Sequence, residues 1–214
     1  MKVHLCMDFI DRLQRQLTEQ LPGEEAHLKM APYRRSVKVE LDSAGMKPRL
    51  SAVMALIYLK ENQWHLVLTK RNEYEGTHSA QVSFPGGRKE EGDASLIHTS
   101  IRETKEEIGV WVPDTQIIGS LTEVYIPPSN FLVNPVLSWL PEQPAFNPDP
   151  REVNYIIEFP VDELTRDDLI KETKIKLSTG LRLTVPYFDI KGEIVWGATA
   201  VILSEFREIL MRVK

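Results

Sequence analysis

Three features of the sequence predict an α+β fold. Segments rich in β-compatible residues, such as Ser51 to Leu59 and Phe131 to Leu140, recur between turn signals. Two other stretches, Asp93 to Gly109 and Ala198 to Val213, carry apolar residues at helical spacing, which marks helices that pack one face on a sheet. The whole is 214 residues with 42% hydrophobic and 27% charged residues, enough for one sizeable core. We expect an N-terminal helix and irregular arm over 1–48, then a single domain over 49–214.

Charge and cysteine content exclude several classes. With 26 basic against 31 acidic residues the net charge is −5, so no global field attracts nucleic acid. The single cysteine, Cys6, permits no intrachain disulfide and reads as a small apolar filler. No apolar stretch reaches the roughly 18–20 residues of a membrane span. Asp8, Asp11, Arg12 and Arg15 interrupt the first twenty residues, unlike a signal peptide. The expectation is a cytoplasmic enzyme with no nucleic-acid or membrane partner; a homodimer is compatible with it.

Along the chain, Phe9, Ile10, Leu13 and Leu17 give Asp8 to Leu21 the pattern of an amphipathic helix, stopped by Pro22-Gly23. Glu24 to Arg49 has weak periodicity and reads as the arm; its Tyr33-Arg34-Arg35 could reach an anionic substrate or simply be solvated. Ser51 to Leu59 and Trp64 to Lys70 form a hairpin around Asn62, Asn72 to Ala80 a loop, and Gln81 to Phe84 a short strand. Beyond the central helix come a strand from Gln116 to Tyr125 and another from Phe131 to Leu140, in which Pro135 suggests an edge or bulge. Pro141 to Pro150, with four prolines, is a loop leading into a strand at Val153 to Phe159. Pro160 to Leu169 reads as a short helix. Strands follow at Lys174–Leu177, Leu181–Val185, Tyr187–Ile190 and Ile194–Trp196, with a turn at Lys191-Gly192, before the closing helix.

The chemistry concentrates in SFPGGRKEEGDASLIHTSIRETKEEIGV, residues 83–110. Asp93 is placed to cap a helix and Gly109 to end it. Ile97, Ile101, Thr104 and Ile108 share one stripe at about 100° per residue, facing a core. Glu103, Glu106 and Glu107 share another arc. Like charges at this spacing raise one another's pKa unless a cation sits among them, and a hard divalent cation such as magnesium prefers oxygen ligands. Pro85-Gly86-Gly87 reads as a turn through which backbone can approach a ligand. Taken alone, a glutamate-rich helix face is as readily a solvated face, and Pro-Gly-Gly merely a turn. His78, in the loop before this stretch, could contact substrate or only hydrogen-bond its neighbours; His98 reads as surface. Glu152, delivered by the proline-rich loop, could act as a general base or be a rim carboxylate.

The joint order of these pieces resembles the Nudix hydrolase family, whose box is G-x5-E-x7-R-E-U-x-E-E-x-G-U with U apolar. Arg102, Glu103, Glu106, Glu107, Gly109 and Val110 match in register. One extra residue lies between Gly87 and Arg102, Asp93 stands where the first glutamate would be sought, and Thr104 fills an apolar position. The longer loop and the run LVLTKRNEYEGTHSAQVSFPGG resemble the coenzyme A pyrophosphatase branch: Leu68, Thr69, Phe84, Pro85, Gly86 and Gly87 match its upstream motif, while Arg71, Glu73, Thr77 and Ala80 depart from it. PYFDIKGEIVWGATAVIL is similar to that branch's C-terminal stretch.

The resemblance implies an α/β/α sandwich with a mixed sheet, and hydrolysis of a nucleoside diphosphate linked to another group. It implies Mg2+ or Mn2+ held by Glu103, Glu106, Glu107 and the Gly87 carbonyl. Arg102 would then orient a carboxylate, and Glu103 or Glu152 would take a proton from water. Coenzyme A is the leading substrate, and Arg71, His78 and Arg88 are candidates for binding it. Hydrolysis of ADP-ribose, NADH or another dinucleotide is the alternative enzyme, and a nucleotide-sensing module that cleaves nothing is the alternative of a different class.

Overall fold

The computed structural model describes residues 2–31, 47–72, 81–176, 180 and 182–213, with the side chains of 2–6 and 176 left aside. The Cys6 side chain, the Tyr33-Arg34-Arg35 group, Thr77 and His78 lie outside this described set. The elements are α1 (Lys2–Thr18), α2 (Gly23–His27), β1 (Arg49–Lys60), β2 (Gln63–Arg71), β3 (Val82–Ser83), β4 (Gly86–Arg88) and α3 (Leu96–Ile108). They continue with β5 (Ile117–Ser120), β6 (Val124–Ile126), β7 (Phe131–Leu140), β8 (Val153–Pro160), β9 (Ile170–Lys176), β10 (Arg182–Ile190), β11 (Glu193–Val195) and α4 (Gly197–Val213).

An eight-stranded mixed sheet forms the middle layer, with β3-β2-β1-β7-β5 in line, β4 beside β1, β6 beside β7 and β8 beside β2. Its long parallel ladder pairs β1 with β7 from Arg49↔Phe131 to Tyr58↔Leu140. Side chains alternate across β1 as a pleated strand requires. Met54, Leu56 and Tyr58 face Ile101 and Ile108 of α3, while Ala55 and Ile57 face the cluster that α1 and α4 complete through Ile10, Leu13, Phe206 and Ile209. Helices thus cover both faces of a mixed sheet, the expected sandwich. A second, three-stranded antiparallel sheet, β11-β10-β9, stands alongside. Among the described residues no helix is long and apolar enough to cross a membrane.

The hairpin of β1 and β2 turns at Glu61 and Asn62, both at positive φ (52° and 66°), the backbone that matches strand twist in a two-residue turn. On α3, Ile101, Thr104 and Ile108 are buried as the stripe requires, and Gly109 closes the helix at φ 74°.

Several expectations need correction. Gln116 to Tyr125 is two strands: Leu121 still donates its N–H to Pro135 O of β7 (2.9 Å), but the Thr122 N–H turns away to Glu205 (3.0 Å) and the ladder stops there. For the same reason Pro135 lies in an interior strand rather than at an edge: it falls where β5 has ended and β6 has not begun, so its missing N–H leaves no gap. The arm contains α2, five residues whose Ala26 and His27 are buried. Helix α1 spans Lys2–Thr18 rather than 8–21, residues 160–169 form two short 3-10 turns, and the two strands expected within 181–190 are one, β10.

Candidate active site

Pro85-Gly86-Gly87 is not a free turn. The chain bends at Pro85 and enters β4, with Gly87 opposite Ala52 and Arg88 opposite Ser51. Strand β4 takes the place beside β1 that β2 occupies higher up. The glycines serve close approach: a Cβ on Gly86 would collide with the Ala52 carbonyl, and one on Gly87 would lie 2.5 Å from the Glu103 carboxyl carbon. Glu103 therefore rests its carboxylate directly on the backbone of residue 87.

Asp93 does not cap α3. Ser95 does, accepting from the His98 N–H at 3.2 Å, and the helix begins at Leu96. Asp93 is instead buried behind it, accepting from the Glu90 N–H and from Thr99 at 2.9 Å each and from Arg102 through Nε and Nη2 at 3.0 Å each. Such a two-pronged guanidinium contact fixes orientation as well as charge. The Arg102 hydrogen bonds hold the Asp93 carboxyl well below the usual carboxylate range. From this anchor Arg102 reaches Glu103 (2.9 Å), Glu106 (3.0 Å) and the Arg88 carbonyl (3.0 Å). It braces two helix carboxylates at once.

Glu107, on the next turn, is 2% exposed and points toward β4 and β2. It accepts from the Gly86 N–H at 3.3 Å and from Arg71 at 3.1 Å. Arg71 sits at the end of β2 beside an irregularity in the ladder with β8, and its guanidinium also meets Glu152 at 3.5 Å. Expected among substrate contacts, Arg71 is bound to carboxylates here. Glu152 is half-exposed and joins the site from the end of the proline-rich loop. Arg88 is exposed and lines an open groove of about 380 Å3 with Lys47, Arg49, Lys89, Glu90 and Glu91, a mixed-charge lining.

Burial pushes the Glu103 carboxyl up, Arg102 pulls it down, and Glu106 and Glu152 push it up again, with a net rise. Burial pushes Glu107 up to about 7, helped by Glu152 and Glu103 and opposed by Arg71 and Gly86. Five carboxylates (Asp93, Glu103, Glu106, Glu107 and Glu152) thus share two guanidinium groups. The three helix glutamates fan out rather than converge: Glu103 over Gly87, Glu106 outward, Glu107 inward. Among the described residues no three Asp, Glu, His or Cys side chains form a ready cage for an ion. The cation the sequence calls for among them is met here in part by arginine, and the excess of hard oxygen donors fits a divalent ion.

His98 is a surface residue, its ring against Ser95 Oγ at 2.8 Å. A buried carboxylate that sequence reading missed is Glu205 of α4, which accepts from the Gly23 N–H (3.0 Å), His27 Nε2 (3.1 Å) and the Thr122 N–H and hydroxyl (3.0 and 2.6 Å). Its position four residues from both Val201 and Ile209 places it on the helix's apolar face, a signal present in the sequence.

Comparison with known proteins gives the family and the fold. The NUDIX domain family matches residues 48–178. A human protein named mitochondrial coenzyme A diphosphatase NUDT8 is 33% identical over 188 residues, which cover 87% of this chain and 72% of that protein. The crystal structure of a MutT/nudix family protein from Enterococcus faecalis superimposes with a TM-score of 0.56 at 18% identity, over 83% of this chain and 71% of that one. The NUDIX domain of Shewanella oneidensis NrtR, solved in complex with ADP ribose, gives 0.54 at 16% identity over 82% and 99%. With the matched segment holding both the bracing arginines and the helix glutamates, this chain belongs to the Nudix hydrolase family.

Proposed function

We propose that the chain hydrolyses the diphosphate of coenzyme A or a coenzyme A derivative, giving 3′-phosphoadenosine 5′-phosphate and a 4′-phosphopantetheine species, with Mg2+ or Mn2+ as its cation. The observation that carries the metal-dependent reading is the imbalance of five carboxylates against two guanidinium groups around Gly86 and Gly87. The choice of coenzyme A is supported by the name of the human relative and by the upstream motif. A cytoplasmic setting belongs to the same reading, although that relative's name places it in mitochondria.

Glu103, Glu106, Glu107 and the Gly87 carbonyl would hold the cation. When bound, it supplies neutralisation of phosphate charge and a more acidic water. The rest falls to the chain's own residues. Asp93 fixes Arg102, and Arg102 restrains the Glu103 and Glu106 carboxylates through one guanidinium. Glu152, half-exposed at the rim, takes the proton of the attacking water, with Glu103 as the alternative acceptor. Arg71 restrains Glu107 and Glu152 together. Arg88, in a groove whose charged lining is Lys47, Arg49, Lys89, Glu90 and Glu91, would meet an outlying phosphate of the substrate.

Competition among coenzyme A, ADP-ribose and NADH at equal concentration, with magnesium and then with manganese, tests the substrate. We expect coenzyme A to be consumed first; equal consumption would sink that choice. Calorimetric titration of Mn2+ into the protein and into Glu103→Gln tests the cation separately, with weaker binding expected in the variant.

A further inference from the structure

The proline-rich segment that brings in Glu152 does not hang free. Its Asn147 N–H donates to the Ile108 carbonyl and its Asp149 N–H to the Glu107 carbonyl, each at 2.9 Å. Those carbonyls belong to the last turn of α3, where the helix itself supplies no donors. One residue, Glu107, is therefore held from two sides: its carboxylate by Gly86 and Arg71, its carbonyl by the loop. The loop is fixed again further on. The Asn72 side chain donates to the Pro150 carbonyl (2.8 Å), the Asn72 N–H donates to the Glu152 carbonyl (3.1 Å), and Phe146 meets the Tyr58 ring edge-on at 5.6 Å.

Gly109, just past the helix end, lies against Asn147 of the loop. Its φ of 74° alone favours glycine, but a Cβ there would also lie 2.8 Å from Asn147 Cβ and 3.0 Å from Asn147 O. Gly192 provides the contrast: its φ is 84°, and a Cβ there meets nothing within 4 Å. An alanine at 192 suffers backbone strain alone, whereas an alanine at 109 must also push the loop away.

We infer that Gly109 and the Asn147–Asp149 segment are positioning elements that set Glu152 against Glu107 and Arg71, making the helix end and the loop one unit of the catalytic apparatus. The inference rests on the proposed site, and on Glu152 belonging to it. Its content is a coupling: displacing the loop at residue 109 must act through residue 152.

A double-mutant cycle on the full chain tests this, using whichever diphosphate the wild type cleaves. Gly109→Ala is expected to lower kcat tenfold or more with KM within about threefold, whereas Gly192→Ala leaves both near wild type. In a Glu152→Gln background, Gly109→Ala should add less than a twofold further loss. Independent, multiplying losses would overturn the coupling, as would a Glu152→Gln variant with undiminished kcat. Should Gly109→Ala not fold, Pro148→Gly at an exposed loop position serves instead, with a smaller loss expected that again vanishes in the Glu152→Gln background. Hydrogen exchange gives a readout without turnover: the Asn147 and Asp149 amides should exchange at least tenfold faster in Gly109→Ala and unchanged in Gly192→Ala. Unaltered exchange in Gly109→Ala overturns the docking even if the wild type cleaves no diphosphate, while faster exchange beside an inactive wild type would support the docking and refute only the hydrolytic reading.

Discussion

Glu107 and Glu205 are buried almost equally, at 2% and 0% exposed, yet their surroundings are opposite. Glu205 receives four donors from His27, Thr122 and Gly23. Burial pushes its carboxyl up, but those hydrogen bonds outweigh burial and hold it below the ordinary value. Glu107 has one weak backbone donor and one guanidinium it shares with Glu152, and burial together with neighbouring carboxylates carries it up to about 7. Burial alone does not distinguish a structural acid from a working one; the supply of donors does. A carboxylate fully served by its own fold has nothing to offer a cation, and an under-served one does.

The sharpest way to break the comparison is to neutralise each acid in turn. Glu107→Gln should lower kcat by about a hundredfold or more, the scale of lost transition-state charge stabilisation, while the melting temperature stays the same or rises. Loss of fold in that variant, measured by calorimetry, would place Glu107 with the structural acids. Glu205→Gln should do the reverse, costing about 3 kcal/mol of unfolding free energy because buried donors lose their charged acceptor. Turnover per folded molecule should change less than about twofold.

Next in size is Asp93→Asn, which loosens Arg102 without touching the helix glutamates. A loss of roughly tenfold in kcat, in the range seen when the support behind a metal ligand is removed, is expected, with KM little changed. The smallest effect is a pair of opposite pH slopes in urea unfolding with a chelator present. Glu107 titrates near 7 when folded and near 4.5 when unfolded, so its contribution is full below about 4.5 and disappears as pH rises through 7. Glu205 is depressed when folded, so its contribution is present above about 4.5 and disappears as pH falls through the folded value. Glu107→Gln should flatten the alkaline slope and Glu205→Gln the acidic one; an unaltered profile in either would contradict the assignment.

Local pattern carries much of this molecule. The stripe Ile101, Thr104, Ile108 and the stop at Gly109 are legible because helix periodicity and a left-handed cap are properties of adjacent residues. The same holds for the hairpin at Glu61-Asn62. The cap is misplaced by two residues: Asp93 and Ser95 look alike locally, and only the side chain of Arg102, nine positions on, decides between them. Gly86 and Gly87 read as a turn because nothing in Pro-Gly-Gly shows that β1 waits beside it. Arg71 reads as a substrate contact because its partner Glu107 lies 36 positions away. The strand break at Thr122 depends on Glu205, 83 positions away. What escapes the sequence is pairing across distance, which no periodicity encodes.

The break between β5 and β6 has a mechanical consequence. Thr122 and Glu123 leave the ladder there, and Thr122 is turned out to donate to Glu205 of α4, which also accepts from Gly23 and His27 at the two ends of α2. An unbroken strand would present a smooth wall to those helices, on which they could slide by a turn. The gap acts as a keyhole: with a charged pin seated in it, only one axial setting of the outer layer can close, and the layer on which the sheet's far face rests is indexed rather than merely greased into place.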